Sequence, residues 1–395
     1  MDFKVLQGGR NAAALSEYRF LEGEITDTRL MGVLGMYMHW QLPYGDEESS
    51  HLHLFFYYDV EELGLESVTA YVGTDEKEVN TIFMNQFGGL GAEMAQLSER
   101  ECRWLANTMI SDTKKRKLLV PETASKLDFI IKQPVILSME EKNALFDKMA
   151  VDLDTDYGVV NYYLMRLFGK DPSGAAWLVS NELESVDPGH IEPKTHCSFL
   201  KNTITPYTDE TGRTTYLSES LIEVDKDNSH MIVVTDVEVK DGKVVAAEKK
   251  KEFKISDYEA SMRVSRPEFV TVYEIFSDWD TFDRPFAEMV LGTTKHGHDI
   301  GDMYMMFQPD NSHIEKQEFN LNDDVRALFF VTDFGQLIVG AYTEADIIAA
   351  EAMISFSEIW NYVMVSGRYQ FADPIIFDFA QSGFENFDEF LKSLQ

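Results

Sequence analysis

Between residues 196 and 276 apolar and polar side chains alternate with the two-residue period of β-strands. Met231, Val233, Val237 and Val239 alternate with Asp236, Glu238 and Lys240, and Asp241-Gly242 follows. A two-residue type I′ turn needs positive φ at both positions, and Asp-Gly supplies it, so this is the strongest hairpin signal in the chain. Polar breaks at 208–212 and 225–229 separate three β-rich runs, 196–205, 213–224 and 230–240. Such short connections favour antiparallel neighbours. Beyond the turn, Val244, Val245, Phe253 and Ile255 flank Glu248-Lys249-Lys250-Lys251. That run reads most simply as a solvated outer strand, since edge lysines discourage pairing with other chains.

The pattern changes on either side. Residues 12–20 predict a short helix. The apolar runs 30–42, 51–60 and 67–72 predict strands of a first antiparallel sheet, with Pro43-Tyr44-Gly45-Asp46-Glu47-Glu48 breaking the first from the second. From Ser98 the spacing becomes helical. Ser98-Glu99-Arg100-Glu101, Ser138-Met139-Glu140-Glu141 and Ser256-Asp257-Tyr258-Glu259 are capping boxes, in which Ser takes the N3 amide and Glu reaches back to the cap. Residues 157–168 predict a helix stopped by Gly169. Further on, 269–276, 300–307 and 327–342 predict strands, the last turning at 333–336. Residues 284–291 and a segment capped by Thr343 and ending near Phe356 predict helices. Phe384, Phe387, Leu391 and Leu394 recur at helical spacing, so the tail is expected to dock on the body. The class expected is α+β: antiparallel β-sheets with flanking helices, in two domains. Asp187-Pro188-Gly189, followed by Pro193, marks the boundary, giving 1–188 as a mixed α+β domain and 189–395 as a β-rich domain with C-terminal helices.

The 395-residue length fits two domains, and 44% hydrophobic residues provide material for packed interiors. Charge narrows the choice of partner. With 68 Asp and Glu against 35 Lys and Arg, the net charge is -33. A chain this acidic repels phosphate, so neither nucleic acid nor an anionic membrane is expected as partner; basic proteins or cations fit better. Cys102 and Cys197 are too few for a disulfide scaffold. No leader pattern follows Met1 and no run approaches a membrane span, so a cytoplasmic location is expected.

Candidate chemistry is sparse. His51-Leu52-His53 and His296-Gly297-His298 have the i, i+2 spacing that puts two imidazoles on one face of a strand, where they can share a metal ion. Asp299 and Asp302 join the second pair, so His296, His298, Asp299 and Asp302, with His313, form a candidate divalent-metal set. The motif resembles the His-x-His-x-Asp-His loop of metallo-β-lactamase-fold hydrolases, but Asp299 directly follows the second His and no His closes it. Gln86-Phe87-Gly88-Gly89-Leu90-Gly91-Ala92 resembles the loop with which GNAT-superfamily acetyltransferases hold the coenzyme A pyrophosphate. That chemistry requires a helix to begin at the loop. The cap at Ser98 places the next helix later, so the glycines read as a turn. His196-Cys197 is no dyad, because neighbours on a strand face opposite ways. Asp152, Asp154 and Asp156 begin like a calcium loop but lack its continuation and suit a helix N-terminus.

No catalytic set emerges. The expectation is a protein-interaction or binding module, self-association included, whose aromatic stretches 55–58, 162–163 and 371–379 either fill the interior or meet a partner. Two alternatives stand beside it: a metal-dependent hydrolase using the His-x-His-Asp cluster, and a small-ligand binder with its site between the domains.

Overall fold

The computed structural model describes residues 18–43, 50–180, 196–208, 210, 213–307, 317–320 and 324–394. The fold is α+β, with three antiparallel sheets and flanking helices. The chain divides into two compact units. The first holds residues up to 87, then 92–152 and 171–177; the second holds 88–91, 153–170 and everything from 178 on. The expected helix at 12–20, the breaks at 43–48 and 208–212, the Asp187-Pro188-Gly189 signal and His313 lie wholly or partly outside the described residues.

The first unit is built on β1 (Arg19–Thr26), β2 (Val33–Gln41), β3 (His51–Asp59), β4 (Gly64–Val72), α1 (Glu76–Phe87), β5 (Met94–Gln96), α2 (Glu99–Lys115), the short α3 (Glu122–Ser125) and α4 (Asp128–Ile131), and α5 (Met139–Met149). The chain leaves it for α6 (Asp156–Phe168) and returns for α7 (Pro172–Trp177). Its sheet runs β4-β3-β2-β1-β5. Strand alternation sorts its side chains. Met36, Met38 and Trp40 of β2 and Leu52, Leu54 and Phe56 of β3 enter one core with Cys102, Leu105, Ala106 and Met109 of α2. Tyr37, His39, His51, His53 and Phe55 take the opposite face, part of which is met by Phe83 and Phe87 of α1. A buried ion pair joins Arg29 to Asp171; Ser173 also accepts from the guanidinium at 2.7 Å, and the cation lies 5.2 Å from the Phe146 ring centre.

The second unit contains β6 (Cys197–Thr208), β7 (Thr214–Val224), β8 (Ser229–Lys240), β9 (Lys243–Ile255), α8 (Asp257–Val264), β10 (Glu268–Ile275), α9 (Trp279–Met289), β11 (Thr294–His298), β12 (Gly301–Phe307), β13 (Glu318–Asn320), β14 (Val325–Thr332), β15 (Gln336–Ala341), α10 (Glu344–Phe356), β16 (Val363–Phe371), α11 (Ile376–Ser382) and α12 (Phe387–Ser393). One sheet runs β13-β6-β7-β8-β9, so the lysine run of β9 lies on an edge strand as expected, with Lys249 and Lys250 paired to Glu252 and Asp236. Leu221, Ile232 and Val234 of this sheet pack under Ala260 of α8. Its other face meets α6, where the buried Asn202 donates to Asn161 at 3.2 Å and accepts from Ser218 and Ser220. The other sheet runs β11-β12-β14-β15-β10-β16. Phe282 and Phe286 of α9 and Ile347, Ala350 and Ile354 of α10 cover one face; Ile376, Phe379, Phe387 and Phe390 cover the other, so the tail docks as its periodicity predicts.

Several expectations change. Arg19 and Phe20 open a strand, not the end of a helix. Helix α1 carries no continuous apolar stripe and is not foreseen. Helix α9 begins at Trp279, five residues before the expected start, because Asp278 caps it by accepting from Thr281 N at 2.9 Å; Pro285 is accommodated inside. Most of the aromatic stretches are interior: Phe55, Phe56, Tyr58, Tyr162, Tyr163 and Phe379 are buried, and Tyr57, Phe371 and Phe377 are half-buried.

Candidate functional site

The hairpin β11–β12 decides the fate of the expected metal set. Cross-strand pairs are His296 with Met303, Gly297 with Asp302 and His298 with Gly301. Directly opposed residues share a face. His296 and His298 therefore stand on the face of Met303, where His298 meets Phe330 edge-on at 5.7 Å. Asp302 stands on the other face and binds Lys295 at 2.7 Å. Asp299 is exposed in the turn. The two histidines share a face as their spacing predicts, but Asp302 does not join them. Burial and the neighbouring His298 push His296 below the ordinary imidazole range.

The remaining motifs fall to structural roles. Gly88–Leu90 is a single 3-10 turn that follows a helix, and no helix begins at it. A Cβ on Gly89 would stand 2.0 Å from Thr294 Oγ1, so close packing accounts for that glycine. Cys102 is buried and its thiol is pushed up by burial; Cys197 is buried too. Asp156 opens α6 beside the cap Thr155 and accepts from Tyr216 Oη at 2.7 Å.

A histidine cluster that sequence reasoning saw only in part lies on the second face of the first unit's sheet. The ladders oppose His53 to Tyr71, His39 to His53 and Glu22 to His39, so one row across four strands reads Tyr71, His53, His39, Glu22. The rings of His39 and His53 stack at 4.1 Å, and His39 Nε2 lies 2.8 Å from His51 Nδ1. His53 Nε2 is 3.1 Å from Gly73 O, which can only accept, so Nε2 carries a proton. Its Nδ1 lies 2.8 Å from Tyr37 Oη and, in the neutral ring that burial favours, accepts from the phenol. Burial, then the charges of His53 and His51, push His39 down to about 4; burial lowers His53 as well. The readable signal was His51-x-His53. Bringing in His39 required the β2–β3 register.

The second feature is a cluster of exposed rings at one end of the six-stranded sheet. Ile275 N donates to Gly335 O at 2.8 Å and Phe276 N to Tyr362 O at 3.0 Å, drawing segments 274–283, 333–335 and 356–364 together. Phe276, Trp279, Phe334, Phe356, Trp360 and Met364 are exposed there, from 48% for Trp360 to 91% for Phe356. The same segments carry Glu274, Asp278, Asp280, Asp283, Asp333 and Glu358, with no Lys or Arg among them. The Thr281 hydroxyl and amide hold the Asp278 carboxyl below its ordinary range.

No protein family, curated protein or solved structure matches this chain. Its own surface must therefore carry any functional reading. Two clefts bear on an enzymatic one. A cleft of about 420 Å³ in the first unit is lined by Asn107, Ser111, Lys114 and Lys115 with Ile110 and Ile131. One of about 270 Å³ in the second unit includes Lys201, Glu219, Arg263 and Glu318, with Lys201 and Glu318 paired at 2.5 Å. The first gathers the Ser111 hydroxyl with two lysines, and the second holds a lysine already paired with a carboxylate. Among the described residues no helix is long and apolar enough to cross a membrane.

Proposed function

We propose that the protein is a binding module for a basic protein segment, docked on the aromatic and acidic end of the six-stranded sheet. The observation that carries this reading is the coincidence of exposed Phe276, Trp279, Phe334 and Trp360 with six carboxylates and no basic residue in the same three segments. Exposed rings gathered at one end of a sheet are the kind of apolar surface that marks interaction sites. Tryptophan faces attract Lys and Arg, each contact contributing about 0.5–2 kcal/mol as water is excluded. The surrounding carboxylates steer a cationic segment to the rings and reject an acidic one. The net charge of -33 acts in the same direction at longer range.

A titration with two synthetic peptides tests it, one alternating Arg and Leu and one alternating Glu and Leu, followed by tryptophan emission. The basic peptide should bind saturably and weaken with added salt, and Trp360→Ala should lower its affinity roughly tenfold, as loss of an anchoring ring does. Equal binding of both peptides, or unchanged binding in Trp360→Ala, would refute the assignment.

A further inference from the structure

The histidine cluster of the first unit has a chemistry of its own. We infer that His39 and His51 form a seat for a divalent transition metal, with Glu22 as the third ligand. His39 Nε2 and His51 Nδ1 face each other at 2.8 Å, and between two neutral rings one nitrogen must hold the proton. A metal ion takes the place of that shared proton: the ring that carried it takes up a proton on its other nitrogen, so both rings stay neutral with no net proton released, and both facing nitrogens turn their lone pairs to the ion. Zinc binds imidazole nitrogen at about 2.0–2.1 Å, which in tetrahedral geometry sets two ligating nitrogens roughly 3.3 Å apart. The pair therefore needs to open by roughly half an ångström. Both rings sit on strands, and the nitrogens already point at one another.

The neighbours fit the two-ligand core. His53 has both nitrogens engaged, with Tyr37 and with Gly73 O, so it stacks on His39 and fixes the ring plane without ligating. Glu22 lies directly across from His39 on β1 and is exposed, free to turn its carboxylate onto the ion. Neither the three imidazoles nor His39 and His51 with Glu22 hold one ligand atom each within 4.8 Å of the others, so the pair of imidazoles is the preformed part and the Glu22 carboxylate has to swing in from solvent as the pair opens. Two imidazoles and one carboxylate leave positions open for water, and ligands of this type suit zinc, cobalt and copper over magnesium or calcium.

The experiment loads the purified full chain with zinc, removes excess by gel filtration, and weighs it by native mass spectrometry; cobalt loading adds a visible absorption band that reports tetrahedral coordination. One ion per chain is expected. His39→Gln and His51→Gln should each lose it, while His53→Gln and His296→Gln should keep it. Absence of bound ion in the wild-type chain, or its loss in His296→Gln with retention in His39→Gln, would overturn the inference. Should a ligand variant fail to fold, histidine modification by diethyl pyrocarbonate on the wild-type chain still decides: zinc must protect His39 and His51, and equal labelling with and without zinc rejects the site.

Discussion

Glu268 shows what one residue does to the second unit. Its carboxyl is fully buried at the start of β10, and Oε2 accepts from the backbone N–H of Ile375 at 2.6 Å and Ile376 at 3.0 Å, capping α11. Among the described residues Oε1 has no hydrogen-bond partner. Burial outweighs the two amides and raises the carboxyl to about 7. A raised carboxyl binds its proton more tightly folded than unfolded, so its contribution to stability is complete below about pH 4.5 and is lost as pH rises through about 7. Glu268→Gln, which mimics the protonated form, should gain stability over wild type as pH goes from 5 to 8, by roughly 3 kcal/mol at most. Urea unfolding of both chains at the two pH values checks it; a gap between them that does not change with pH would mean the carboxyl is ionised throughout. None of this was visible in the sequence, where Glu268 is one acidic residue among 68 Asp and Glu. Its burial comes from docking of α11 and α12 on the sheet.

Elements whose signals are local were legible. All three capping boxes form, at Ser98, Ser138 and Ser256, because a cap is complete within four residues. Asp241 and Gly242 both adopt positive φ, as the hairpin turn requires. Signals that need a partner strand were not legible. His39 joins His51 and His53 only once Gln41 is known to pair with His51, and Asp302 leaves the histidines only once it is known to oppose Gly297. The exposed rings were missed for the same reason: Phe276, Phe334 and Trp360 are far apart in sequence and meet only through sheet order. Helix stability gives one test here. Ser138→Ala removes the α5 cap and should destabilise the chain by about 1 kcal/mol in chemical denaturation. The β11–β12 hairpin gives a sharper one. Gly301 has φ 153°, and a Cβ there would lie 2.1 Å from Val331 O, whereas a Cβ on Gly297 meets only the Asp302 carboxylate at 3.7 Å. Gly301→Ala should lower the melting temperature clearly and Gly297→Ala hardly at all; equal effects would mean the β12–β14 register is wrong.

On the scale of the whole molecule, acidity and exposed aromatic surface act together. The charge of -33 is spread along the chain, so it selects the sign of a partner without choosing where it lands. The place is set by the end of the six-stranded sheet, where rings and carboxylates share three segments. Charge was readable from composition; the place was not, since the aromatic runs most conspicuous in the sequence turned out to build the core. Binding at this end should be fast and sensitive to salt, because steering by exposed charges weakens beyond a Debye length of about 8 Å at physiological ionic strength. The most direct measurement replaces Trp360 with a photo-cross-linking aromatic residue in the producing cell and sequences the captured peptide. The expected catch is a Lys- and Arg-rich segment of a partner protein, whose capture falls in Trp279→Ala and at high salt. Capture of an acidic or neutral segment, or capture unaffected by Trp279→Ala, would contradict it.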